Sequence, residues 1–310
     1  MKRFFKSVWT SIKELGSVLK QAGIAWIDDD VTMHAASVAY YTVFSLAPML
    51  VIALAVAGMV FDPATVQREI MTQLQGLMGT DAARSVAQFV QGATGEKSHG
   101  VLATIIGVFT LILGAIGAFV QLQDSLNHIW KVPPQGGGIV QVLRRRLLSF
   151  GLVLAVAFLL MVSLVLSTAL AATGNLLHAH FTGFDFAINV ANGVLSFVVI
   201  GVLFGAMFKF LPDAKIGWRD VAAAAIFTSA LFTIGKEFIG LYIGQTGIAS
   251  SYGAAGSLAV LLVWVYYSAM IVLFGAEFAW VVATSHERAG TKHVKARSHK
   301  AIPRAHSPAH

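Results

Sequence analysis

The chain has 310 residues, of which 56% are hydrophobic and only 12% charged, and its mean hydropathy is +0.73. A soluble domain carries about 25% charged residues, so this balance excludes an ordinary soluble fold and makes the bilayer the solvent to reason in. The net charge of +7 then points to membrane orientation and lipid contact rather than to nucleic acid, and the absence of cysteine excludes disulfides, thiolate nucleophiles and cysteine-based zinc sites.

Residues 1–30 are expected to form an amphipathic helix. Phe4, Phe5, Val8, Trp9, Ile12, Leu15 and Leu19 share one face, with Lys6, Lys13 and Lys20 along its edge. Such a helix lies in the cytoplasmic interface or packs against the protein's own cytoplasmic loops. Asp28 to Asp30 separate it from a membrane domain over residues 31–284.

About 20 apolar helical residues cross a bilayer, and six stretches qualify: Ala35 to Val60, Val101 to Leu122, Leu147 to Thr173, Phe186 to Leu211, Val221 to Ile243 and Ala254 to Ala283. The fold expected is all-α, a polytopic membrane protein with six transmembrane helices. The first span is expected to serve as the insertion signal. Within it, Pro48 removes a backbone hydrogen bond to Phe44, so a kink is expected, with Ser45 placed to resatisfy the carbonyl.

Between the first two spans, Asp62 and Pro63 read as a helix N-cap and first turn, followed by Val66, Ile70, Leu74 and Leu77 at helical spacing. Thr80 is expected to cap a second short helix bearing Val86, Phe89 and Val90. The product is an external helical hairpin that packs on the spans or gates them.

Eighteen of the 22 Lys and Arg residues fall in alternate polar segments. They are the N-terminal segment, Lys131 with Arg144 to Arg146, Lys209 to Arg219, and the residues after Ser285. The opposite loops hold Arg68, Arg84 and Lys97, so the positive-inside rule places both termini in the cytoplasm. Residues 285–310 are basic, rich in His and marked by Pro303 and Pro308, and are expected to form a disordered tail. Their histidines lack the fixed spacing of a metal site.

Four motifs carry a family resemblance: Ala36-Ser-Val-Ala-Tyr-Tyr-Thr-Val-Phe-Ser-Leu-Ala-Pro48; Gln121-Leu-Gln-Asp-Ser-Leu-Asn-His-Ile-Trp130; Leu211-Pro-Asp through Gly217-Trp-Arg-Asp220; and Ser251-Tyr-Gly-Ala-Ala-Gly256 through Trp264-Val-Tyr-Tyr and Gly275-Ala-Glu-Phe278. In this order they resemble the YihY/BrkB family of bacterial inner-membrane proteins, over residues 30 to 285. The resemblance implies six spans with cytoplasmic termini. It also implies association with serum resistance, virulence and envelope lipid transport, and a ribonuclease label regarded as mistaken. It supplies no catalytic residues.

The residues give the ribonuclease label no support. A metal-dependent nuclease needs clustered ligands over a phosphate, and the nearest approach is His178-Ala-His180 with Asp185 in a short external loop. No enzyme activity, metal or cofactor is expected.

Ionisable residues within spans are costly and usually face a bundle interior or a wet cavity. At 1.5 Å rise per residue, Glu277 lies about 9 Å from the cytoplasmic end of its span and Lys236 about 22 Å from that of its own, which disfavours a direct pair. Two candidate sites result. One is a cytoplasmic-end cluster of Asp124, Lys209 and Glu277 with one of Arg144, Arg145 and Arg146. The other is a span-five site of Lys236 and Glu237, which point about 100° apart, with Glu237 within reach of Tyr40, Tyr41 or an Asn on span four. Gly201-x-x-x-Gly205 and Gly240-x-x-x-Gly244 read as close helix packing.

The function expected is that of a non-enzymatic inner-membrane protein assisting transport or distribution of a lipid or other amphiphile at the cell envelope. The alternative is a structural or assembly factor for envelope complexes. The partners expected are anionic headgroups at the cytoplasmic face, envelope proteins or a second copy of the chain. A lateral, headgroup-sized groove reaching Glu277 or Glu237 favours transport, and a dry, fully packed bundle favours the scaffold.

Overall fold

The computed structural model describes residues 2–58, 62–94, 117–133, 185–248, 252 and 255–300. All regular structure among them is helical. In chain order the helices are α1 (Lys2–Asp28), α2 (Val31–Gly58), α3 (Pro63–Met78), α4 (Thr80–Thr94), α5 (117–129), α6 (Asp185–Phe210), α7 (Trp218–Thr246) and α8 (Gly256–Lys300).

Three of these are long and apolar enough to cross a membrane: α6 over Gly193–Phe210, α7 over Trp218–Thr246 and α8 over Gly256–Ser285. They answer to the fourth, fifth and sixth expected spans, and α2 covers the first as one helix running through Pro48. The second span is described only at its end, in α5, and the third lies outside the described residues, as do Arg144 to Arg146 and His178 and His180.

Exposed apolar stripes on two of these helices suit a hydrocarbon surrounding. Val190, Val194, Val198 and Val202 make an i, i+4 ladder on α6, and Ile226, Ile234, Phe238 and Leu241 line one side of α7. On the inner sides, small residues let backbones approach, the usual device where lipid removes the hydrophobic drive for helix association. A Cβ on Gly201 would meet Ser229 at 3.4 Å and one on Gly205 would meet Ala225 at 3.6 Å. The first glycine pair therefore packs α6 on α7 as expected. Thr228 and Ser229, both fully buried, return their hydroxyls to the Ala224 and Ala225 carbonyls at 2.7 Å, so neither leaves an unsatisfied group in the bundle. Helix α8 is the hub, in contact with α1, α2, α4 and α7.

Four details differ from the sequence expectations. The second half of α1 packs on the protein, with Ala22 buried and Trp26 edge-on to Phe274 at 5.3 Å. Its partner is α8 rather than cytoplasmic loops. Helix α8 continues to Lys300 instead of giving way to an irregular tail at Ser285; once a span has nucleated the helix, residues such as Ala289, Lys292 and Lys295 propagate it cheaply, and the first proline is Pro303. The Ser45 hydroxyl donates to the Thr42 carbonyl at 2.9 Å, not to that of Phe44. The hairpin α3–α4 forms, but Gly79 rather than Thr80 occupies its corner, accepting from Ala83 at 3.1 Å and donating to Gln75 at 3.0 Å. Its φ of +82° belongs to the left-handed region that favours glycine.

The hairpin does not merely cover helix ends. Met78, Ala82, Ala83 and Val86 are buried in one cluster with Ala39 and Val43 of α2, Ile239 and Ile243 of α7, and Val260, Leu261 and Val265 of α8. Lys236 donates to the Gly76 carbonyl at 3.1 Å, ten residues before the end of α7. The corner therefore reaches about 15 Å down the flank of that helix.

Candidate functional site

The polar groups gather in two places, one at each end of the packed helices. The first is built around α5 and the α1–α2 turn. Helix α5 ends in a Schellman turn: Val132 donates to Asn127 at 2.9 Å and Lys131 to His128 at 3.0 Å. The left-handed position falls on Lys131, φ 52°, where glycine is usual. That conformation costs about 1–2 kcal/mol for a residue with a Cβ, and it aims the side chain at two partners. Its ammonium bonds the Asp29 carboxylate and lies 5.7 Å from the centre of the Trp280 ring. Asp29, only 4% exposed, sits in the α1–α2 turn, which closes through Asp30 at φ 47°.

Around this pair lie His128, whose Nε2 is 4.0 Å from Asp29 Oδ1, and His34, whose ring is 4.8 Å from that of His128. Ser125 contacts His34 Nδ1 at 3.3 Å while donating to the Gln121 carbonyl at 2.7 Å. His34 precedes the expected first span. Burial pushes its pKa below the ordinary 6.5, and the neighbouring His128 adds to that effect, against the opposing pull of Asp29, Asp30 and Asp124. On the other side of α5, Asn127 makes a reciprocal pair with Asp213, donating to its carboxylate at 3.0 Å and accepting from its backbone N–H at 2.8 Å. Two motifs far apart in sequence, Gln121 to Trp130 and Leu211-Pro-Asp213, thus bind one another.

Glu277 brings a third motif to the same place. It is fully buried on α8, and neither carboxylate oxygen has a hydrogen-bond partner among the described residues. Its charged neighbours are Asp29, Lys131 and Asp28, not the Asp124 and Lys209 that the sequence suggested. Lys209 instead donates to the Ile216 carbonyl at 2.6 Å and lies 5.0 Å from the Trp218 ring centre, tying the end of α6 to the start of α7. Asp124 is exposed on α5 and contributes its charge to the surroundings of His34. Sequence gives no azimuth, and the α1–α2 turn fills the side that Glu277 faces. Asp29, His34, His128 and Lys131 were missed as members of a site. The signal available was the run Asp28 to Asp30 beside an apolar span, a costly place for three carboxylates.

The second site is a cavity of about 340 Å³ between the hairpin corner and α7. Lys236 and Glu237 both line it, although they leave the helix about 100° apart. The corner wedged beside α7 brings them together: half-buried Lys236 reaches across to Gly76, and Glu237 stands at the exposed rim. Glu237 does not bond the two tyrosines; Tyr40 packs on Tyr41 and Phe44, with ring centroids at 5.5 and 4.9 Å. Gly240 and Gly244 form the cavity wall. A Cβ on Gly240 would have nothing within 4 Å, so this glycine opens space where close helix packing was expected, whereas one on Gly244 would meet Asp81 Oδ2 at 3.4 Å. Lys236 and Glu277 belong to separate sites, as the depth difference required.

Long apolar helices with lipid-facing stripes, polar groups collected at their ends and a hairpin wedged between them define an α-helical membrane protein. The family model described as Virulence factor BrkB matches residues 25–300, and the chain belongs to that family. Among similar curated proteins are UPF0761 membrane proteins of Psychrobacter sp. (27% identical, covering 83% of this chain and 46% of the relative), Albidiferax ferrireducens (27%, covering 81% and 59%) and Ralstonia nicotianae (25%, covering 84% and 56%). The chain thus spans about half the length of these relatives. No solved structure matches it.

Proposed function

We propose that this chain is a non-enzymatic, multi-pass protein of the bacterial inner membrane that assists movement or distribution of a membrane lipid at the cell envelope. The observation that carries this reading is the cavity beside α7, about 340 Å³ in volume and lined by Lys236 and Glu237. That volume lies at the lower end of the range of about 300–1,000 Å³ typical of ligand pockets, and charged groups at membrane depth ordinarily mark a wet or ligand-bearing path. The exposed face of α7 carries Ile234, Phe238 and Leu241 beside the cavity, which gives acyl chains an approach from the bilayer. By the positive-inside rule the cavity belongs to the external half, while the basic rim faces anionic headgroups in the cytoplasmic leaflet.

The scaffold reading draws on the opposite end of the molecule, where the Asn127–Asp213 pair and the Asp29–Lys131 pair tie three segments together. A transport role and a rigid end are compatible; a scaffold alone leaves the charged cavity without a use. The test is reconstitution into liposomes with a labelled phospholipid. Accelerated transbilayer movement supports the proposal, and folded protein that leaves the spontaneous rate unchanged counts against it.

A further inference from the structure

The α7 cavity has a charge order that selects among lipids, and this inference rests on the lipid-handling reading above. Along α7 towards its C-terminal end, the stripe Ile226, Ile234 and Phe238 faces outward. Lys236 follows on the cavity side, bonded to the Gly76 carbonyl at 3.1 Å. A lysine ammonium has three protons to donate, so two remain for an incoming anion. Two turns further on, about 12 Å along the axis, Gly244 faces the Asp81 carboxylate, whose Oδ2 is 3.4 Å from where a Cβ on that glycine would stand. Glu237 follows Lys236 directly, about 1.5 Å further along the axis, and stands at the exposed rim, and Gly240 leaves the wall between Lys236 and Gly244 open.

The cavity lining therefore offers one cation, Lys236, with the Glu237 carboxylate beside it at the rim and the Asp81 carboxylate towards the outer end, where the exposed Arg84, outside the lining, pairs with it at 3.5 Å. An anionic headgroup would meet Lys236 but also the repelling Glu237 carboxylate next to it. A headgroup with a phosphate followed by a primary ammonium matches the order, with acyl chains lying over Ile234 and Phe238. A quaternary ammonium matches the charge but has no N–H to donate to Glu237 or Asp81. We propose that this cavity is a binding site for a phospholipid with a phosphoethanolamine headgroup, its phosphate on Lys236 and its ammonium between Glu237 and Asp81.

The test uses the full chain, delipidated in detergent and offered equal amounts of dioleoyl phosphatidylethanolamine, phosphatidylcholine and phosphatidylglycerol, with bound lipid counted by native mass spectrometry. Retention of phosphatidylethanolamine over each of the others by about tenfold is expected, the worth of one charge-assisted hydrogen bond. Gly240→Leu should abolish that preference by placing a branched side chain in the cavity beside Lys236 and Glu237. It should melt no lower than the parent, since nothing within 4 Å opposes a Cβ there and glycine is a poor helix former. Lys236→Met should reduce retention of all three lipids, and Glu237→Gln should narrow the gap between phosphatidylethanolamine and phosphatidylcholine; these two decide the matter if Gly240→Leu fails to fold. Equal retention of the three lipids, or an unchanged preference in the folded variants, overturns the site. Because the readout is binding, selective retention without transbilayer movement would leave the site standing and remove only the transport role.

Discussion

Gly275→Ala tests whether the α7–α8 contact is as close as the fold requires. A Cβ at position 275 would lie 1.9 Å from Thr228 Oγ1 and 3.0 Å from both its Cβ and Cγ2. Comfortable carbon contacts lie at about 3.5–4.0 Å, so the new methyl cannot be accommodated without movement. Rotating Thr228 would sacrifice its 2.7 Å bond to the Ala224 carbonyl and would leave the Cβ contact in place. The helices must therefore part. Replacing glycine in a helix returns about 1 kcal/mol of propensity, while overpacking a tight site costs about 1–3 kcal/mol and occasionally more. A contact as short as 1.9 Å belongs at the upper end of that range, so a net loss of about 2 kcal/mol follows, visible as a lower unfolding midpoint in detergent. Thr228→Ala removes two of the three clashing atoms, so the double variant should recover at least about 1 kcal/mol relative to additive losses. A Gly275→Ala variant as stable as the parent, or strictly additive losses, would refute the close contact.

Three further outcomes follow from the network around the α1–α2 turn. Glu277→Gln should raise the unfolding midpoint, by about 1 kcal/mol in stability, because an amide spares the cost of neutralising a buried carboxyl and keeps a donor near Asp29 Oδ2; a lower midpoint contradicts the assigned neighbourhood. Asn127→Ala removes both hydrogen bonds to Asp213 and should cost about 1–2 kcal/mol, with faster amide exchange at residues 211–214 as the local readout. His34 has a folded pKa below its unfolded value of 6.5, so the unfolded chain binds the extra proton first. Its contribution to stability is present above pH 6.5 and is lost as pH falls through that value towards the folded pKa. The midpoint should drop on acidification below pH 6.5, and His34→Gln should flatten that dependence; an unchanged slope sinks the assignment.

Helix periodicity and length carried most of the fold. The Phe186 to Leu211 stretch and α6 differ by one residue at each end, because an uninterrupted apolar run bounded by polar residues has one way to satisfy its backbone in lipid. The hairpin was legible for the same reason, from Asp62-Pro63 and the spacing of Ile70 and Leu74. Its depth was not, since amphipathicity gives a buried face without naming what buries it. The sites show the same division. Lys236, Glu237 and Glu277 stood out as charges at apolar positions, but their partners are set by helix rotation and by which turns fill the gaps. Lys131 was counted as a topological charge, and only the Schellman turn that aims it at Asp29 gives it a place in the network. Gly240 and Gly244 had the spacing of a packing motif, and nothing in that spacing distinguishes a wall against a helix from a wall around a cavity.

The most direct measurement is the transbilayer rate of labelled phosphatidylethanolamine in liposomes carrying the parent chain or Gly240→Leu at equal density. Acceleration by the parent is expected, with a return to the protein-free rate in Gly240→Leu, where the cavity is obstructed in a protein that melts no lower. Equal acceleration by both chains would contradict it, since lipid would then be moving by a route that does not pass Lys236 and Glu237.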